Sequence, residues 1–145
     1  MAARPPAVTV LYDRDCGFCR WSIGRLLAWD RGGRVRPVAI QSEEGERLLA
    51  DLTPEQRLAS AHAIDAAGRR TSGGDALAPV AEVLPGGRPL AALARRAPKL
   101  ARAGYDAIAG RRPLLGRLVS DRAKERADER IARRERLAQR SASST

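Results

Sequence analysis

The feature that most constrains this chain is a C-x-x-C pair set between two apolar segments, in Asp13-Arg14-Asp15-Cys16-Gly17-Phe18-Cys19. The run Val8-Thr9-Val10-Leu11-Tyr12 leads into it with the near-continuous apolar character of a buried, central strand. Trp21 to Trp29 leads away with the spacing of a helix that ends near Asp30 and is capped at Gly32-Gly33. A strand that ends in C-x-x-C at the first turn of a helix suits thiol–disulfide exchange. The unpaired N–H groups and positive dipole end of the helix stabilise a thiolate there, and thiolate is the attacking species.

The two cysteines are not equivalent. Ile23, Leu26 and Leu27 follow Cys19 at i+4, i+7 and i+8, which places Cys19 on the buried helix face. Cys16 stays at the exposed tip, where Arg14 and Arg20 favour its anion. Cys16 is therefore assigned as the attacking thiol and Cys19 as the resolving thiol. Asp15 is expected to be the N-cap. Asp13, at the strand end, has two readings: relay of a proton to or from Cys19, or support of the strand-to-helix turn through backbone N–H groups.

A C-x-x-C is also half of a zinc site, and a structural zinc needs four ligands. His62 is the remaining soft ligand, so one chain does not complete the set. The alternative is a non-enzymatic domain whose C-x-x-C binds a metal, shared between chains, or acts in interaction. In the redox reading the dithiol is itself the reactive group, and no cofactor is called for.

The 145 residues make one domain of ordinary size with a real core. No stretch is long enough to span a bilayer, and residues 1–6 are too short for a secretory signal. A cytoplasmic location is expected, where C-x-x-C is catalytic or metal-binding more often than a structural bridge. The net charge of +10 and pI near 11.2 invite a nucleic-acid reading. Composition argues against it: nearly all the cation is Arg, Ala is abundant, and 3% aromatic content is too low for a base-stacking platform. Nucleic acid is not an expected partner.

Along the chain, residues 34–40 form a second strand whose Pro37 argues for an edge or a bulge. A short helix follows at 43–51, and Thr53-Pro54-Glu55-Gln56 starts another. Strands at 61–65 and 69–72 form a hairpin around Ala66-Ala67-Gly68, with His62 as a half-buried sheet residue. Asp75 is expected to cap a helix running to Leu84. Helical stretches at 90–103 and 104–119 are interrupted at Pro98 and Pro113. Trp21 and Trp29 are expected in the core. Residues 120–140 are dense in Arg, Glu, Asp and Ala with opposite charges four apart, which reads as a solvated helix fraying into 141–145. The chain divides on this reading into a domain over 7–119 and a charged, partly disordered tail over 120–145.

The segment from Tyr12 to Cys19 resembles the D-x-x-C-x-x-C signature of the DCC family of predicted thiol–disulfide oxidoreductases. Gln41-Ser42-Glu43-Glu44-Gly45 is similar to the family's Q-S-x-x-G stretch. Asp65-Ala66-Ala67-Gly68-Arg69 with Ser72 to Leu77 is similar to its hairpin and S-x-x-A-L segment, and Tyr105-Asp106-Ala107-Ile108-Ala109 with Arg112 to its late Y-x-x-x-A-x-x-R element. The resemblance spans about residues 8–119. It implies an α/β, thioredoxin-like mixed sheet with flanking helices, extended here by C-terminal helices. It also implies dithiol chemistry at Cys16 and Cys19. On the exchange reading the expected partners are a protein or small-molecule thiol or disulfide as substrate and a cellular dithiol as reductant. One departure stands out: Ser60-Ala61 occupies about the place where thioredoxin-class proteins set a cis-proline.

Overall fold

The computed structural model describes residues 5–144, so the first four residues of the lead-in and the last residue of the chain lie outside it. The strands are β1 (Val8–Tyr12), β2 (Val35–Ala39), β3 (His62–Asp65) and β4 (Arg70–Ser72). The helices are α1 (Gly17–Trp29), α2 (Glu43–Leu48), α3 (Pro54–Ala59), α4 (Leu77–Val83), α5 (Arg88–Arg96), α6 (Pro98–Ala109), α7 (Arg112–Leu118) and α8 (Asp121–Ser143). The sheet order is β2-β1-β3-β4, with β1 and β2 parallel and the other two pairings antiparallel. This is the thioredoxin-like α/β arrangement, and α1 is the crossover between its parallel strands.

Alternation along β1 divides the core into two layers. Val8, Val10 and Tyr12 face α1, where they meet Ile23 and Leu27, with Val35, Leu84 and Ile131 completing the layer. Leu11 faces the other way, with Val38, Ile40 and Leu49. A strand buried on both faces needs the continuous apolar run that β1 has. The β3–β4 hairpin closes at Gly68, whose φ of 82° suits glycine. Asp65 Oδ1 accepts from the N–H groups of Ala67 and Arg69 inside that turn.

One edge of the sheet is β2, and Pro37 sits there, where a missing N–H is tolerated. Several groups on that edge are occupied. Asp30 accepts from Val35 N at 2.7 Å, Arg134 donates to Val35 O at 2.9 Å, and Ser42 N donates to Ala39 O at 3.1 Å. Such coverage blocks pairing with a foreign strand.

Three expectations are corrected by the helices, and the proline breaks stand. The interruptions at Pro98 and Pro113 are present: α5 stops at Arg96 and α6 at Ala109, and each proline lies in the first turn of the helix that follows, where a missing N–H costs nothing. Asp75 caps no helix; Gly73–Ala76 is a 3-10 turn, and Asp75 pairs with Arg102 at 2.7 Å. Trp29 is 42% exposed, its indole N–H donating to Pro85 O. The charged stretch after residue 120 is not a solvated extension.

That last correction matters most for the site. Helix α8 lies along α1 and reaches β2, burying Ala127 (2% exposed) and Ile131 (5%). Gly24 on α1 makes room for it, since a Cβ there would lie 2.6 Å from Ala127 Cα. Arg134 then pairs with the buried Asp30 at 2.6 Å. Small residues on both helices allow close approach without a large apolar stripe. The helix continues through Ser143, with Ser141 and Ser143 donating to carbonyls four residues back. Among the described residues, no helix is long and apolar enough to cross a membrane.

Candidate active site

The chain leaves β1 at Tyr12 and turns through Asp13-Arg14-Asp15 into α1. Asp13 O accepts from Cys16 N at 3.3 Å, and Asp13 Oδ1 accepts from Asp15 N at 2.9 Å. Gln41, just after β2, pins this turn from the side. Its amide donates to Asp13 Oδ1 at 2.6 Å and its carbonyl accepts from Arg14 N at 3.0 Å. No hydrogen bond joins Asp13 to either sulfur among the described residues.

The N-cap of α1 is Cys16 and not Asp15. Cys16 has extended backbone angles, and its Sγ accepts from Cys19 N at 3.3 Å. Asp15 lies one residue too early to reach the helix N–H groups; it is exposed, 3.5 Å from the Gln41 amide. A thiol does what a hydroxyl or carboxylate usually does at this position.

Both cysteines are free thiols and half-buried. Cys19 Sγ donates to Cys16 Sγ at 2.7 Å, so the Cys16 sulfur receives two donors at the positive end of the helix. Burial, followed by the hydrogen bond to Cys16, pushes the Cys19 thiol up to about 12. Cys19 therefore holds its proton at neutral pH.

Arg112, at the start of α7, acts against the burial of Cys19. Its Nη1 lies 4.0 Å from Cys19 Sγ, and its other donors bond Ala109 O and Ala59 O. The sequence offered Arg112 only as a letter in a family resemblance, and 93 residues separate it from Cys19. Arg20, expected beside Cys16, is directed instead to Asp128 at 3.6 Å. Tyr105 of α6 accepts from Ala61 N at 2.7 Å, and its ring packs against Gly73. Burial raises its phenol. Around the thiols, Phe18 and Trp21 stack at a 5.7 Å centroid distance, and Gly116 of α7 approaches Phe18 N.

A metal ligand set is not brought together: among the described residues no group of three or more His, Cys, Asp and Glu is placed to hold an ion. His62 is 2% exposed, tied at Nδ1 to Ser72 Oγ (2.7 Å) and at Nε2 to Arg57 O (2.9 Å). Burial lowers its pKa and keeps the ring neutral.

No curated protein and no solved structure matches this chain. A family model does, described as DCC1-like thiol-disulfide oxidoreductase, over residues 10–118, from the third residue of β1 to the last of α7. The match includes the strand, both cysteines and Arg112, and the chain belongs to the DCC1-like thiol-disulfide oxidoreductase family.

Proposed function

We propose that the protein exchanges disulfides through a dithiol in which Cys16 attacks and Cys19 resolves. The observation that carries this is the hydrogen bond from Cys19 Sγ to Cys16 Sγ at a helix N-terminus, which gives one sulfur the charge and the other the proton.

In the first step the Cys16 thiolate attacks a substrate disulfide. A Cys16–substrate S–S bond forms, the substrate S–S bond breaks, and the leaving sulfur departs as thiolate and takes up a proton. In the second, Cys19 loses its proton and attacks the Cys16 sulfur. The Cys16–Cys19 disulfide forms and the second substrate sulfur leaves. The substrate has gained two electrons and two protons and the protein has lost them. A cellular dithiol, in a reducing cytoplasm, returns the pair to its starting state. Arg112 assists Cys19 in the second step, and Asp13 holds the turn that places Cys16.

Trapping tests the order. Cys19→Ser should accumulate a covalent mixed disulfide at Cys16 with a small disulfide such as bis(2-hydroxyethyl) disulfide. Cys16→Ser should not. Stable adducts on Cys16→Ser alone would reverse the assignment, and no adduct on either variant would end the exchange reading.

A further inference from the structure

Two cations flank the C-x-x-C turn from separate helices, and one lies beyond the residues that the family model matches. Arg112 of α7 stands over Cys19, 4.0 Å from its sulfur. Lys124 of α8 lies across Gly17, the residue bonded to Cys16. A Cβ at position 17 would be 3.0 Å from Lys124 Cε and 3.4 Å from its Nζ. A side chain at position 17 would crowd the lysine stem where it passes over the helix start. Lys124 is one of two lysines in a chain whose other cations are arginines.

Neither cation has a carboxylate partner among the described residues. Arg112 donates to two backbone carbonyls and approaches Cys19, and Lys124 enters no ion pair. Seven other arginines, Arg20 and Arg134 among them, do have such partners. The nearby carboxylates of Asp13 and Asp15 are both within hydrogen-bond distance of the Gln41 amide, with Asp13 also holding the turn. The side of the C-x-x-C turn facing α7 and α8 therefore carries two cations outside any ion pair among the described residues, while Asp128, one turn along α8 from Lys124, is paired with Arg20.

We infer that Arg112 and Lys124 form a two-armed cationic rim that selects disulfides bearing carboxylates a few bonds from the sulfur. The inference rests on the exchange reading above and names its substrate class. A carboxylate attached two or three carbons from an attacked sulfur falls within reach of one arm while the sulfur meets Cys16. Half-buried cations beside a low-dielectric wall attract such groups, and added salt screens them.

The test uses the reduced full-length protein and three small disulfides: 3,3′-dithiodipropionate (anionic), bis(2-hydroxyethyl) disulfide (neutral) and cystamine (cationic). Second-order rates of protein-thiol loss are each divided by the rate for free dithiothreitol, which removes intrinsic reactivity. At low salt the normalised rate should favour the anionic over the neutral disulfide by about three- to ten-fold, with the cationic one slowest. The preference should fade at about 1 M salt, where the screening length is about 3 Å. Lys124→Gln should reduce the anionic-to-neutral ratio by about two- to three-fold and Lys124→Arg should restore it. Arg130→Gln, which removes the same charge at an exposed position on α8, should leave that ratio in place.

Equal normalised rates for the three disulfides overturn the inference. So does an anionic-to-neutral ratio that Lys124→Gln leaves unchanged, or one that Arg130→Gln reduces as much. Failure of even the neutral disulfide to oxidise the wild-type thiols would instead overturn the exchange reading.

Discussion

Cys19 donates its thiol proton to the Cys16 sulfur across 2.7 Å, and this gives two neighbouring cysteines opposite characters. The donor keeps its proton to about pH 12, while the acceptor receives a backbone N–H as well. Brief alkylation of the reduced protein near pH 8 should therefore label Cys16 at least about ten-fold faster than Cys19. Peptide mapping by mass spectrometry reads the ratio directly. Faster labelling of Cys19 would reverse the proposed roles.

The same burial makes stability depend on alkaline pH. Cys19 is raised to about 12, and Tyr12 is also raised to about 12, by burial and then by Glu135 and Asp128. In the unfolded chain a cysteine ionises near 8.5 and a tyrosine near 10. A group whose folded pKa is raised contributes stability that is full below its unfolded pKa and lost as pH climbs toward the folded one. Melting temperature should hold up to about pH 8.5 and then decline. Cys19→Ser should remove the first part of the decline, below about pH 10, and leave the part due to Tyr12. A wild-type curve flat to pH 11 would show that neither group stays protonated in the fold.

Arg112 supplies the opposing pull on Cys19. Resolution requires that thiol to ionise in a buried setting, and the guanidinium favours the anion. Arg112→Met should slow resolution by about ten-fold, so that the mixed disulfide becomes visible in rapid-quench mass spectrometry; Arg112→Lys should recover part of the rate. Resolution at the wild-type rate would reduce Arg112 to a tether for the carbonyls of Ala59 and Ala109.

How much of this was readable in the sequence follows from how local each signal is. The β1–C-x-x-C–α1 junction, the edge position of Pro37 and the Gly68 hairpin rest on patterns within a few residues, and these appear in the structure. The cap falls one residue later than its sequence signal, at Cys16, because cysteine is not a usual N-cap. Arg112 has no local signal tying it to Cys19, since helix α7 makes that contact from the far end of the chain. Helix α8 seats through Ala127 against Gly24, and alanine meeting glycine leaves no hydrophobic stripe to detect. Arg134 is one of many arginines, and only the fold singles it out by burying Asp30.

Asp13 separates two readings of the signature's first residue. Its Oδ1 holds Asp15 N–H and the Gln41 amide, which is a turn-building role that an amide oxygen can fill. Asp13→Asn should therefore resolve mixed disulfides at close to the wild-type rate. Asp13→Ala removes both acceptor bonds and should cost about 1 kcal/mol in chemical denaturation, with slower attack at Cys16. If Asp13→Asn accumulates the mixed disulfide near neutral pH while keeping its stability, Asp13 instead passes the Cys19 proton.

Arg134 and Asp30 decide whether α8 is an appendage or part of the redox unit. Asp30 is 1% exposed and accepts from Arg34 N, Val35 N and Arg134 Nη1, while Arg134 also donates to Val35 O. One guanidinium thus neutralises a buried carboxylate and covers the edge of β2. Breaking such a pair from one side leaves a buried charge uncompensated, so Arg134→Ala should lose about 3 kcal/mol. Arg134→Ala with Asp30→Asn should recover part of that loss, because the stranded charge is gone. Deleting residues 120–145 should do more, exposing the Gly24 face of α1 and freeing the β2 edge, so the truncated chain should both melt earlier and self-associate. Denaturant titration and size-exclusion chromatography measure the two effects. A truncated chain that stays monomeric with an unchanged melting temperature would mean that α8 rests on the domain without supporting it.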